Sequence, residues 1–263
     1  MPMLGLGTWE NDDHGECVES VRTALEVGYR HVDTAQAYRN EDAVGEGIAE
    51  AAVDREDVFL ATKVWNSNLA HEDVIASAED SLDRLGTDYV DLLYVHWPAG
   101  EYDPEDTLPA FDELRDRGLI DRVGVSNFEP DHLDRAREIL DAPIFANQVE
   151  MHPQLPQREL REYADDADIN LVAYSPLIRG DIFDVPVIRE IAAAHEVSEA
   201  QVGLAWLRES GITAIPKATS EAHIRDNWAS LQVALEDGDV ERIDGIAERT
   251  RKVRPPFAPA AWD

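Results

Sequence analysis

Val90-Asp91-Leu92-Leu93-Tyr94-Val95-His96-Trp97-Pro98 condenses the organisation of the chain. Six residues, apolar apart from Asp91, are followed at once by a histidine, a tryptophan and a proline. A run this short and this apolar suits a strand buried on both faces, as parallel sheets require, and its shortness favours strand over buried helix. The same design precedes it twice. Residues 58–62 lead into Thr62-Lys63-Val64-Trp65, and residues 31–33 lead into Asp33-Thr34-Ala35 with Tyr38 close behind.

Working outward, eight such runs appear, at 3–7, 31–33, 58–62, 90–95, 123–125, 144–148, 171–173 and 213–215. The stretches between them read mostly as helices. Residues 16–27 place Cys17, Val21, Ala24 and Leu25 at helical spacing, and residues 72–85 do the same with Ile75, Ala78, Leu82 and Leu85. Pro130 opens a helix over 131–140 and Pro156 one over 157–167, since proline suits a first helical turn. Two last helices are expected at 221–229 and 240–249. Eight strands alternating with helices indicate an α/β fold, either a closed barrel or a doubly wound sheet. No repeat, low-complexity segment or linker divides the chain, so residues 1–263 are expected to form a single domain. The tail 254–263 reads as a frayed end or as a flap over a site.

Charge excludes several functions. Acidic residues number 55 against 23 basic ones, a formal net charge of −32. Nucleic acids and anionic membranes need a basic face, so neither is an expected partner. The acidic residues are spread along the chain, and the only lysines are Lys63, Lys217 and Lys252. An acid-rich, lysine-poor surface is expected of a halophilic protein, because molar salt screens its self-repulsion. Cys17 stands alone, and no leader or apolar run of about 20 residues is present. A soluble, cytoplasmic protein is the expectation.

The chemistry gathers at the strand ends. In a parallel barrel these ends face one mouth, where active sites form. Asp33, Tyr38, Lys63 and His96 follow consecutive runs and would converge there. A lysine cation favours the phenolate of a neighbouring tyrosine, so Lys63 is expected to lower the Tyr38 pKa. Asp33 would hold Lys63, and His96 would orient a substrate oxygen. Singly, each has a plainer explanation as a surface ion pair or packing residue. Jointly they do not, because two of only three lysines fall at strand ends inside motifs. Gly5-x-Gly7 is not a dinucleotide fingerprint, since the third glycine position holds Glu10. The histidines show no metal-ligand spacing, and no metal is expected.

Across nearly its whole length the sequence resembles the aldo-keto reductases. The resemblance rests on Gly5-Leu6-Gly7-Thr8-Trp9, Asp33-Thr34-Ala35 through Tyr38, Glu41 to Gly45, Thr62-Lys63-Val64-Trp65 and Asp91 to Pro98. It continues through Gly124-Val125-Ser126-Asn127-Phe128, Asn147-Gln148-Val149-Glu150, Tyr174-Ser175-Pro176-Leu177 and Ile215-Pro216-Lys217. It implies a single (β/α)8 TIM barrel, reduction of aldehydes and ketones with NADPH, and a catalytic tetrad of Asp33, Tyr38, Lys63 and His96 with Tyr38 as proton donor. It further implies that Ser126, Asn127 and Gln148 bind the nicotinamide carboxamide and that Tyr174 stacks on its ring. Ser175 and Leu177 would line the cofactor groove, with Asp226 and Asn227 near the adenine. Lys217, Thr219 and Ser220 would meet the 2′-phosphate. Trp9, Trp65, Trp97 and Trp262 would wall the substrate pocket.

Two departures stand out. NADPH-preferring members usually carry a serine and an arginine where this chain has Ala218 and His223, so NADH is a possible second cofactor. The chain also opens almost directly on its first strand, as do short microbial diketogluconate and methylglyoxal reductases. With the short loop after His96, this points to an open pocket and small polar carbonyl substrates. A monomer is expected. The rival reading is an NADP(H)-binding sensor or interaction subunit with little turnover.

Overall fold

A computed structural model of the protein describes residues 1–259, so Trp262 lies outside the described residues. The eight expected runs all form strands: β1 (Leu6–Gly7), β2 (His31–Asp33), β3 (Phe59–Val64), β4 (Leu92–Val95), β5 (Val123–Ser126), β6 (Ile144–Glu150), β7 (Asn170–Tyr174) and β8 (Thr213–Ala214). They pair in parallel and in chain order. Parallel bridges Leu4 to Ala214 and Gly7 to Lys217 then join the last strand to the first. The sheet is therefore a barrel and not a doubly wound open sheet.

That closing seam is the least regular part. β1 and β8 shrink to two residues each because the seam is held by isolated bridges and bonds such as Gly5 N to Ala214 O at 2.8 Å and Gly7 N to Pro216 O at 3.1 Å. A side chain at Gly7 would sit 2.6 Å from the Ile215 carbonyl oxygen, so only glycine lets the two backbones approach.

Helices α1 (His14–Val27), α2 (Glu41–Glu50), α3 (His71–Leu85), α4 (Pro104–Asp116), α5 (Pro130–Ile139), α6 (Arg158–Ala167), α7 (Pro186–His195) and α8 (Glu199–Glu209) surround the sheet. α9 (Glu221–Ala229) and α10 (Asp237–Asp244) follow β8. Asp13 caps α1 by accepting from Glu16 N at 2.9 Å, and Pro130 occupies the first turn of α5. Pro156 does not open α6. Gln157 intervenes in the left-handed conformation (φ 49°) and ties its side chain to the Glu150 carbonyl at 3.0 Å. α10 begins earlier than expected, with Asp237 and Asp239 in its acid-favoured first turn, and stops before Gly245.

Two apolar layers result. Leu and Val side chains on the outer faces of the strands pack against the helices. Ala61, Leu92, Tyr94, Ala146, Val172 and Ile215 fill the barrel interior, beneath the mouth at the C-terminal strand ends. α2 and α3 meet at backbone distance, since a side chain at Gly45 would lie 2.3 Å from the Leu85 carbonyl. Gly45→Ala is therefore expected to destabilise the fold by about 1–3 kcal/mol, through overpacking against main chain that cannot yield. A thermal melt checks this: Tm should fall by several degrees, and an unchanged Tm would contradict the packing.

Candidate active site

Strand register carries the inward-facing polar groups to the mouth. Ala61 points into the barrel core, so Lys63, two residues on, shares its face. Asp33 lies opposite Ala61 on β2, and Tyr94 opposite Lys63 on β4. A 3-10 turn over Gln36–Tyr38 then brings the phenol back over the lysine.

The four expected side chains converge. Lys63 Nζ donates to Asp33 Oδ1 in a short ion pair, to the Thr34 carbonyl at 2.7 Å and to Tyr38 OH at 3.5 Å. Gln148 Nε2 donates to the other Asp33 oxygen at 2.7 Å. Lys63 is 0% and Asp33 1% exposed, so the pair is fully desolvated. Burial raises the Asp33 carboxyl and lowers the Lys63 ammonium, each opposed by the other's charge. The His96 and Tyr38 rings meet edge-on at 5.9 Å.

One electrostatic expectation is reversed. The Tyr38 pKa is raised well above its ordinary value, first by burial and then by the Asp33 charge. Lys63 Nζ lies 3.5 Å from the phenol oxygen, but burial and Asp33 set the direction of the shift. The consequence suits a proton donor, since the phenol stays protonated at neutral pH. His96 moves the other way. Burial and the Lys63 charge push its pKa far down, leaving a neutral imidazole. A neutral ring offers one donor nitrogen and one acceptor.

A single cavity of about 910 Å³ opens above these groups. Asp33, Tyr38 and His96 line it, followed by Ser126, Asn127, Gln148, Tyr174, Ser175 and Leu177, and then Lys217, Asp226 and Asn227. All the expected cofactor residues except Thr219 and Ser220 thus line the same cavity as Asp33, Tyr38 and His96. Many are already engaged. Ser126 Oγ donates to the Gln148 carbonyl at 2.8 Å, and Asn127 Nδ2 to the His96 carbonyl at 3.0 Å. Tyr174 OH donates to Asn127 Oδ1 at 2.9 Å. The Asp226 carboxylate accepts from Ser198 Oγ at 2.7 Å and Gln201 Nε2 at 2.6 Å, which ties α9 to α8. Thr219 and Ser220 are not among the lining residues, and Ser220 caps α9 by accepting from His223 N. Among the described residues, no group of three or more His, Cys, Asp or Glu is placed to hold a metal.

Trp9, Trp65 and Trp97 all line the cavity at the tetrad end. Trp65 lies edge-on to His96 at 5.1 Å. Residues without a sequence signal complete this end. Arg179, in the loop after β7, stacks over Trp9 at 4.4 Å. Gln36 Oε1 accepts from Trp65 N at 3.0 Å while its amide nitrogen donates to the Ser77 carbonyl at 3.0 Å, fixing the turn to α3. Of the tail, Pro255 and Phe257 line the cavity, as does Val253 just before it.

Comparison with known proteins agrees with this geometry. The profile of the "Aldo/keto reductase family" matches residues 3–248. The chain is 41% identical over 251 residues to a glyoxal reductase of Bacillus subtilis, spanning 95% of this chain and 91% of the relative. It is 37% identical over 266 residues to the methylglyoxal reductase DkgB of Escherichia coli O157:H7, spanning 100% and 99%. Among solved structures, the aldose reductase of Schistosoma japonicum superposes with a TM-score of 0.94 at 30% identity, over 100% of this chain and 96% of that one. With eight parallel strands in barrel order, Asp33, Tyr38, Lys63 and His96 gathered at their C-terminal ends and a family match over nearly all its length, the chain belongs to the aldo/keto reductase family.

Proposed function

We propose that this enzyme reduces small aldehydes and ketones with NADPH, using Tyr38 as proton donor and Asp33, Lys63 and His96 to set its environment. The observation that carries the proposal is that Tyr38 and His96 line one cavity with their rings edge-on, while the buried Lys63 ammonium lies behind the phenol at 3.5 Å. A bound nicotinamide supplies the hydride. The protein's part is to hold the carbonyl and manage the proton. His96 hydrogen-bonds the substrate oxygen, and Tyr38 donates to that oxygen as negative charge develops on it. Lys63, anchored by Asp33, stabilises the phenolate left behind. Run backwards, the same groups support alcohol oxidation.

The lining residues support a nicotinamide cofactor in this cavity. Ser126, Asn127 and Gln148 would meet the carboxamide and Tyr174 the ring, with Ser175 and Leu177 along the groove and Asp226 and Asn227 toward the adenine. Lys217 is exposed at the far end and makes no ion pair among the described residues, in a chain with 55 acidic residues. That cation favours the 2′-phosphate of NADPH. The lining residue His223 and Ala218 supply no guanidinium fork, which leaves room for NADH.

Trp9, Trp65 and Trp97 would form the substrate walls. The relatives named for glyoxal and methylglyoxal point to small dicarbonyl compounds. All four tetrad members come from one chain, so the proposal extends to a monomer. A high-salt cytoplasm completes it, argued from the charge of −32 and the lone Cys17. No helix among the described residues is long and apolar enough to cross a membrane. The complete tetrad and the relatives' reductase names support turnover over a purely sensing role.

Purified protein should oxidise NADPH in the presence of methylglyoxal, faster in molar KCl than at 0.1 M, where surface charges still repel one another over about 10 Å. Tyr38→Phe should lower kcat by about 10²–10⁴ with cofactor binding retained, the range typical of general acid catalysis. A folded, NADPH-binding protein that turns over no carbonyl would overturn the proposal. Lys217→Met should raise KM for NADPH about tenfold or more, the loss of one charged hydrogen bond, and spare NADH. Equal changes for both cofactors would remove Lys217 from the phosphate site.

A further inference from the structure

We propose that Glu150 is a positioning residue for the substrate pocket: its buried carboxylate holds the C-terminal segment in place, so that Phe257 completes the aromatic wall over His96. The inference builds on the reductase reading of the site.

Glu150 ends β6, two residues beyond Gln148 and on the same side of the strand. It is 0% exposed and makes no salt bridge with a lysine or arginine among the described residues, although Arg251 beside the clamp lies near enough to feel its charge. Its partners are two main-chain amides about a hundred residues away and one histidine. Oε1 accepts from Lys252 N at 2.6 Å, and Oε2 from Val253 N at 2.8 Å. His152, equally buried, meets Oε1 through Nε2 at 3.0 Å. An ionised carboxylate can only accept, so Nε2 carries the proton. These bonds outweigh burial and hold the Glu150 carboxyl below the usual range, which keeps it ionised at neutral pH.

The segment held this way reaches the chemistry. Val253, Pro255 and Phe257 line the cavity. The Phe257 ring stands edge-on to Trp65 at 5.8 Å and to Trp97 at 5.5 Å, and Trp65 stands edge-on to His96. Two lesser ties flank the clamp. Thr250 N donates to the Gln154 carbonyl at 3.1 Å, and Lys252 Nζ pairs with Asp181 in the loop after β7. That loop also sets Arg179 over Trp9. One buried anion therefore fixes the strap from which the third ring hangs. Closing the barrel does not require it, since β6 is already paired on both sides.

The test compares Glu150→Gln, Lys252→Pro and Lys252→Ala in the full-length enzyme. Glu150→Gln replaces an accepting oxygen with an NH2, and Lys252→Pro removes one donated amide while leaving Glu150 intact. Lys252→Ala keeps the amide and removes only the ammonium. Both clamp variants should show faster amide hydrogen exchange over residues 250–257 than wild type, and Lys252→Ala should not. Both should also lose about tenfold in selectivity for 4-nitrobenzaldehyde over methylglyoxal, through KM for the aromatic substrate, as Phe257→Ala should. Wild-type exchange in the two clamp variants would overturn the proposal. A parallel fall in kcat for both substrates would overturn it too, by placing Glu150 in the chemical step. The exchange measurement needs no turnover, so failure of the clamp and failure of the reductase reading are told apart.

Discussion

Everything at the mouth of this barrel is arranged around the buried ion pair of Lys63 and Asp33. Removing one partner of such a pair typically costs about 3–5 kcal/mol, because the other charge is left in a medium that cannot solvate it. The pair is therefore a constraint on its surroundings. It requires β2 and β3 to hold the register that sets Asp33 against Ala61. It requires the Thr34 carbonyl and the Gln148 amide to take up the remaining hydrogen-bonding capacity. Gln148 thereby links the tetrad to the wall assigned to the nicotinamide.

The pair also explains the state of the two groups that would touch substrate. Tyr38 sits within reach of a cation yet remains a protonated phenol, because burial and then the Asp33 charge raise its pKa. His96 stays neutral because burial and that same cation oppose its charge. Before substrate arrives the site thus holds a proton on tyrosine and none to spare on histidine. In the proposed mechanism the lysine acts as negative charge forms on the phenol oxygen.

The barrel was legible because each strand is a short apolar run, and the convergence of Asp33, Tyr38, Lys63 and His96 because each lies at or just beyond the end of one of three consecutive runs. The scarcity of lysine sharpened the reading by isolating Lys63 and Lys217. Other features left no local trace. The sign of the Tyr38 shift is set by burial and by the Asp33 charge, which no motif encodes. Pro156 looked like a helix start, but the left-handed Gln157 displaces α6 by a residue. Arg179 over Trp9, and Glu150 beneath residues 252 and 253, join segments about a hundred residues or more apart. Neither contact imposes a periodicity or a spacing. Glu150 stood in a recognised motif, yet its partners lie on an irregular tail.

The most direct measurement of the central claim is turnover by Lys63→Met, a swap of similar length that removes only the cation. The account predicts a kcat at least about 10²-fold below wild type, with an unchanged circular dichroism spectrum and near-native NADPH affinity. A folded Lys63→Met enzyme that keeps nearly full kcat would contradict it, since Tyr38 would then need no buried ammonium to part with its proton.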